Sequence, residues 1–147
     1  MKCLVTGGAG FIGSNLVDKL ISDGHEVTIV DNMSTGKKEN INPKAKLYVK
    51  DITQMRRNSD FHMFEGIDVV FHLAALARVQ PSIENPIEYH NANVNGTLNL
   101  LKASVDYGVK RFVFSSSSSV YGNVEQLPTP EEHELNPISP YALHKLI

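Results

Sequence analysis

The stretch Thr6-Gly7-Gly8-Ala9-Gly10-Phe11-Ile12-Gly13 constrains this chain more than any other feature, because of what stands on either side of it. Before it, Lys2–Thr6 is a short β-type run. After it, apolar residues at Phe11, Ile12, Leu16, Leu20 and Ile21 recur at helical spacing. Gly24 offers a helix stop, and Glu26–Asp31 reads as a second strand. A glycine turn inside a strand–helix–strand unit of about 30 residues is the arrangement that brings backbone N–H groups up to a pyrophosphate at a helix N-terminus. Gly8, Gly10 and Gly13 fit the simple form of this pattern, and Gly7, Gly10 and Gly13 fit a wider one. Both serve the same need: backbone that can turn and approach closely, and a helix that packs tightly on its strand.

Asp31 ends the second strand, eighteen residues beyond Gly13. A carboxylate there accepts both hydroxyls of a ribose and repels a 2′-phosphate, so the expected cofactor is NAD rather than NADP. Asn32, Ser34, Thr35 and Gly36 follow and suit the same ribose.

The rest of the chain continues the alternation. A turn-rich stretch from Asn32 to Pro43 leads to a third strand near Lys46–Lys50, and Ser59–Phe64 has room for a short helix. Asp68–Leu73 is almost wholly apolar, as in a strand buried on both faces. Pro86 opens a long helix through Tyr107, capped by Gly108, with Leu98, Leu101 and Val105 on one stripe. Arg111–Phe114 is a fifth strand, five serines follow, and a last helix begins at Tyr141. The alternation predicts an α/β fold, a Rossmann-type doubly wound parallel sheet with right-handed crossovers.

Composition narrows the function classes. The chain has 147 residues, 41% hydrophobic and 20% charged, which suits one soluble domain. Net charge is −2 with both signs dispersed, so no nucleic-acid partner is expected; the short basic pairs Lys37–Lys38 and Arg56–Arg57 read as solvated surface. No apolar run reaches the length of a membrane span, and the N-terminus lacks the layout of a secretion signal. Cys3, the one cysteine, is expected to be a buried thiol in a reducing cytoplasm. The histidines lack metal-ligand spacing, so no metal site is expected, and His72 and His144 read as structural or surface residues.

Several of these segments stand in an order that resembles one family. Thr6–Gly13, Asp31–Gly36, Asp51-Ile52 and His72-Leu73-Ala74-Ala75 follow one another as in the extended short-chain dehydrogenases/reductases, and in particular the UDP-glucose 4-epimerases and their relatives. The resemblance runs over essentially the whole chain. It implies that Gly7, Gly10, Phe11, Ile12 and Gly13 line the cofactor, that Asp51, with Ile52 beside it, accepts a hydrogen bond from the adenine amino group, and that Leu73, Ala74 and Ala75 lie along NAD. It also places Asn93 facing the site, lets Gly96 pack closely, and sets Ser115 and Ser116 on the cofactor side. Asparagine and glycine are poor mid-helix residues, so Asn93–Thr97 needs such a reason. The sequence departs from the bacterial pattern at Ala77, where such epimerases often carry a lysine.

Tyr141 and Lys145 stand four apart on one helix face. The resemblance makes Tyr141 the acid/base and Lys145 its electrostatic partner, which also holds the nicotinamide ribose. Counting back from Val120-Tyr121-Gly122, it selects Ser117 as the hydroxyl partner. Related dehydratases and decarboxylases carry carboxylates just beyond that hydroxyl; here Ser118 and Ser119 cannot act as acids or bases at neutral pH. Oxidation and re-reduction at sugar C4 remain, with a UDP-hexose as the implied substrate. A sister epimerase or a dehydratase with displaced acids is the alternative, and an NAD-binding module is the non-enzyme reading. Family members continue well past the lysine into a sugar-nucleotide domain. The 147 residues are therefore expected to be an NAD-binding portion cut off before that domain, turning over poorly, with a homodimer expected for the full-length enzyme.

Overall fold

In the computed structural model, residues 1–55 and 60–147 are described. The strands are β1 (Lys2–Thr6), β2 (Glu26–Asp31), β3 (Lys46–Val49), β4 (Val69–His72) and β5 (Arg111–Phe114). They form one parallel sheet in the order β3-β2-β1-β4-β5. The helices are α1 (Phe11–Ser22), α2 (Val79–Glu84), α3 (Pro86–His90), α4 (Gly96–Asp106) and α5 (Pro140–Leu146).

Alternation along β1 explains the layering. Cys3 and Val5 point to one face, where Val17 and Leu20 of α1 cover them together with Val27 and Ile29 of β2. Leu4 points to the other face, into a cluster with Val30, Val70, Phe64 and Leu100 and Ala103 of α4. Successive side chains of a strand face opposite ways, so a centrally placed strand of apolar residues needs cover on both sides. Right-handed crossovers supply it: the strand order reverses after β3, which sends α4 to the face opposite α1. The doubly wound expectation holds, and Cys3 is fully buried.

Gly24 and Gly108 close α1 and α4 as expected. His25 N–H reaches Leu20 O and Gly24 N–H reaches Ile21 O, both at 3.0 Å, and Val109 and Gly108 repeat the pattern on Ser104 and Val105. Three details differ from the sequence reading. The long helix is not uniform: α3 passes through a π-helical turn over Asn91–Asn95, closed by Gly96 N–H on Asn91 O, before α4 begins. A short helix, α2, precedes it, opened by Arg78 at φ +85°. Between β3 and β4 the described structure is a 3-10 turn at His62–Phe64; Ser59, expected in a helix there, lies outside the described residues, as do Arg56 and Arg57.

Candidate active site

The C-terminal ends of β1 and β4 flank the point where the strand order reverses, the crevice in which open parallel sheets place ligands. A cleft of about 1110 Å³ opens there.

Its floor is the glycine turn. A Cβ at Gly13 would lie 2.1 Å from Gly7 O, so no side chain fits between α1 and the strand end. At Gly7, with φ +70°, a Cβ would come within 2.8 Å of Ala74 N. Both positions keep bare backbone at the cleft. The N-terminus of α1 carries no side-chain cap, leaving its first N–H groups and the positive end of its dipole for a ligand. Phe11 and Ile12 line the cleft yet are 83% and 66% exposed, apolar surface that a bound molecule would cover.

Asp31 is buried at the end of β2. Its Oδ2 accepts from Ala9 N–H at 3.0 Å and its Oδ1 from Met33 N–H at 2.8 Å. A carboxylate has about four lone-pair directions, so it keeps acceptor capacity toward the cleft that it lines. Asn32, Ser34 and Thr35 line the same end. Gly36 does not line it; a Cβ there would meet Ala9 Cβ at 2.7 Å, so this glycine lets the loop close over Asp31. Asp51 and Ile52 line the adjoining wall. Partial burial of Asp51 opposes ionisation, but hydrogen bonds from the Thr53 hydroxyl and N–H and from the Asn32 amide outweigh it and hold its pKa below the usual carboxylate value. This end therefore fits an adenosine, and its negative charge disfavours a 2′-phosphate.

Leu73, Ala74 and Ala75 form the opposite wall, continued by Leu76 and Ala77. Asn93 is placed otherwise than expected. It is 3% exposed and absent from the lining, because both ends of its amide are used on one peptide neighbour: Oδ1 accepts from Leu76 N–H at 2.8 Å and Nδ2 donates to Leu76 O at 2.9 Å. It shapes the wall from behind.

The far end holds Ser115, Ser116, Tyr141 and Lys145. Lys145 is buried, with Nζ donating to Ser115 O at 3.0 Å and lying 4.9 Å from the Phe114 ring centre. Burial pulls its ammonium down to about 8. Ser116 Oγ donates to Lys145 O at 2.8 Å, fixing that turn of α5 to the exit of β5. Ser117 stands just outside the lining and caps the following 3-10 turn, accepting from Ser119 N–H at 3.2 Å. His72 and His144 are both buried, and His72 bridges Thr6 and Thr97 beneath the floor. Among the described residues no cluster of three or more His, Cys, Asp or Glu side chains is arranged for a metal, and no helix is long and apolar enough to cross a membrane.

One cleft thus joins bare backbone at a helix N-terminus, a buried carboxylate and a tyrosine–lysine pair. The sequence model of the NAD-dependent epimerase/dehydratase family matches residues 3–147. The chain belongs to that family. A UDP-glucose 4-epimerase of Lactobacillus helveticus is 43% identical over 147 residues, covering 100% of this chain and 44% of the relative. Among solved structures, the UDP-glucose 4-epimerase of Thermotoga maritima with UDP-glucose is 47% identical with a TM-score of 0.89, covering 99% of this chain and 48% of that one. The Thermus thermophilus UDP-glucose 4-epimerase complex with NAD is 39% identical with a TM-score of 0.91, covering 99% and 47%. The chain spans about half the length of the curated relatives it matches.

The lining also contains residues that sequence reasoning did not single out: Lys50, Thr53 and the stretch Glu84–Glu88. They come from loops and from the α2–α3 junction, where no local pattern marks them.

Proposed function

We propose that this chain is the cofactor-binding and proton-transfer portion of a cytoplasmic nucleotide-sugar 4-epimerase that interconverts UDP-glucose and UDP-galactose. The observation that carries the reading is the single cleft in which the glycine turn and Asp31 lie at one end and Tyr141 and Lys145 at the other. NAD, when bound, supplies hydride acceptance and return at sugar C4. The bare backbone at Gly7 and Gly13 and the N-terminus of α1 hold its pyrophosphate, Asp31 its ribose hydroxyls, and Asp51 its adenine.

The chain's own chemistry is proton handling. Tyr141 takes the proton of the sugar 4-hydroxyl and gives one back when the sugar is reduced from its other face. Ser117 shares a hydrogen bond with that hydroxyl. Lys145, on the same helix face, stabilises negative charge on the Tyr141 oxygen and orients the nicotinamide ribose. Ser118 and Ser119 offer no carboxyl group for eliminating water, which favours epimerisation over dehydration. The sugar-nucleotide grip is assigned to the half of the relatives outside this chain's span, and a homodimer to the complete enzyme.

The test is Tyr141→Phe. Turnover of UDP-galactose by the complete enzyme is expected to fall by at least a thousandfold, about 4 kcal/mol in barrier, while NADH binding, read by fluorescence titration, changes less than about threefold. Turnover retained by the variant removes Tyr141 from this role.

A further inference from the structure

The first turn of α5 carries Tyr141. What fixes it is therefore what fixes Tyr141. At the Lys145 end the mount is the pair of contacts to Ser115 and Ser116 already described. At the other end Ser139 caps the helix, accepting from Ala142 N–H at 3.1 Å. Pro140 has no N–H to satisfy. The remaining first-turn donor, Tyr141 N–H, is taken by a residue 59 positions away: Ser82 Oγ in α2, at 3.0 Å.

Ser82 is fully buried, and its own hydroxyl proton goes to Val79 O within α2. The hydroxyl is thus oriented, with an oxygen lone pair committed to Tyr141. The segment leading into α2 is pinned at each joint. Asn93 holds the Leu76 N–H and C=O, and Tyr89 donates to Ala77 O at 2.7 Å. Arg78 then takes φ +85°, a conformation a non-glycine residue keeps only where its surroundings over-determine it. Leu76 and Ala77 are cleft wall, so the same rigid segment borders the cofactor and carries Ser82.

We infer that Ser82 is the positioning residue for Tyr141, setting the phenol against the cofactor through its backbone N–H. The inference rests on the assignment of Tyr141 under the proposed function. Without the Ser82 hydroxyl the first turn of α5 loses its tether to α2, while Lys145 keeps its own mount on β5. Tyr141 then moves away from the cofactor although the cofactor still binds.

The experiment uses the whole chain labelled with ring-¹³C tyrosine, with and without NAD. The Tyr141 signal among the five tyrosines is assigned by its loss in Tyr141→Phe. Addition of NAD is expected to shift that signal in the unmodified chain and in Ser82→Thr, which keeps the hydroxyl. In Ser82→Ala the shift is expected to fall to less than about a third, with NADH affinity within about threefold of the unmodified chain. If Ser82→Ala does not fold, Ser82→Cys takes its place; its sulfur is a weak acceptor, and a partial loss of the shift is expected. A full NAD-induced shift in the alanine or cysteine variant overturns the role of Ser82 and leaves that of Tyr141 standing. NAD binding with no shift of Tyr141 in the unmodified chain overturns the assignment of Tyr141, and the Ser82 inference with it.

Discussion

Thr97 gives its hydroxyl proton to Asn93 O, 2.6 Å away, and this commitment fixes the protons on His72. The Thr97 oxygen accepts from His72 Nε2–H at 2.8 Å, so Nδ1 is the acceptor and takes the Thr6 hydroxyl proton at 2.6 Å. Thr6 Oγ1 in turn accepts from Ala74 N–H at 3.2 Å. One directed chain of hydrogen bonds therefore crosses from the cleft wall through β1 and β4 to the π-helical turn, and it needs a neutral imidazole. Burial, and then the Lys145 charge, push the His72 pKa down to about 3 from 6.5. The unfolded chain binds this proton near 6.5 and the folded chain only near 3, so stability is full above 6.5 and declines as pH falls through that window. Urea unfolding of His72→Phe at neutral pH should show a loss of about 1–3 kcal/mol from two hydroxyls left without their partner. Between pH 6.5 and 3 its stability should fall less steeply than that of the unmodified chain; parallel slopes would show that His72 is not the group being protonated.

At the scale of elements, the β1–α1 junction sets the cleft floor, and Gly13 decides how closely the two pack. Replacing a helical glycine by alanine favours the helix by about 1 kcal/mol. Here the added Cβ would lie 2.1 Å from Gly7 O and 2.8 Å from Gly8 Cα, both backbone atoms that cannot step aside. The overlap wins: Gly13→Ala should lose a net 1–3 kcal/mol of stability, as in other overpacked sites, and NADH affinity should fall about tenfold or more. A variant as stable and as tight-binding as the unmodified chain would contradict this packing. That junction was legible in the sequence because its signals are local: a β run, a glycine turn, a 3.6-residue period and a strand-end acid. The five strands and the caps at Gly24 and Gly108 were read for the same reason. What was not legible depends on distant partners. Nothing near Val79–Glu84 announces a helix, since Ser82 meets Tyr141 across 59 positions. Nothing near Asn93 shows that its amide closes on Leu76 rather than facing the cleft. The π-helical turn is likewise a product of packing. Of the site itself, Gly7, Gly10, Gly13, Asp31, Asp51, Tyr141 and Lys145 were found from spacing and resemblance and share one cleft, whereas Gly36, Asn93 and Ser117 lie outside its lining.

At the scale of the molecule, α4 turns two ways. Leu100 and Ala103 are buried on the sheet, while the stripe seen in the sequence faces outward, with Leu98 62% and Val105 78% exposed. Leu143 and Leu146 of α5 are also exposed. The homodimer proposed for the complete enzyme would bury this apolar surface. Sedimentation of the complete enzyme at micromolar concentration should give a dimer, and its Leu98→Glu variant a folded monomer. A monomeric unmodified enzyme would contradict the pairing through this face. The account as a whole turns on the reaction. The most direct measurement incubates the complete enzyme with NAD and UDP-galactose and separates the nucleotide sugars by chromatography. UDP-glucose should appear with the complete enzyme and should be absent with its Tyr141→Phe variant. NAD bound but no UDP-glucose formed, or equal conversion by the variant, would contradict 4-epimerisation by this site.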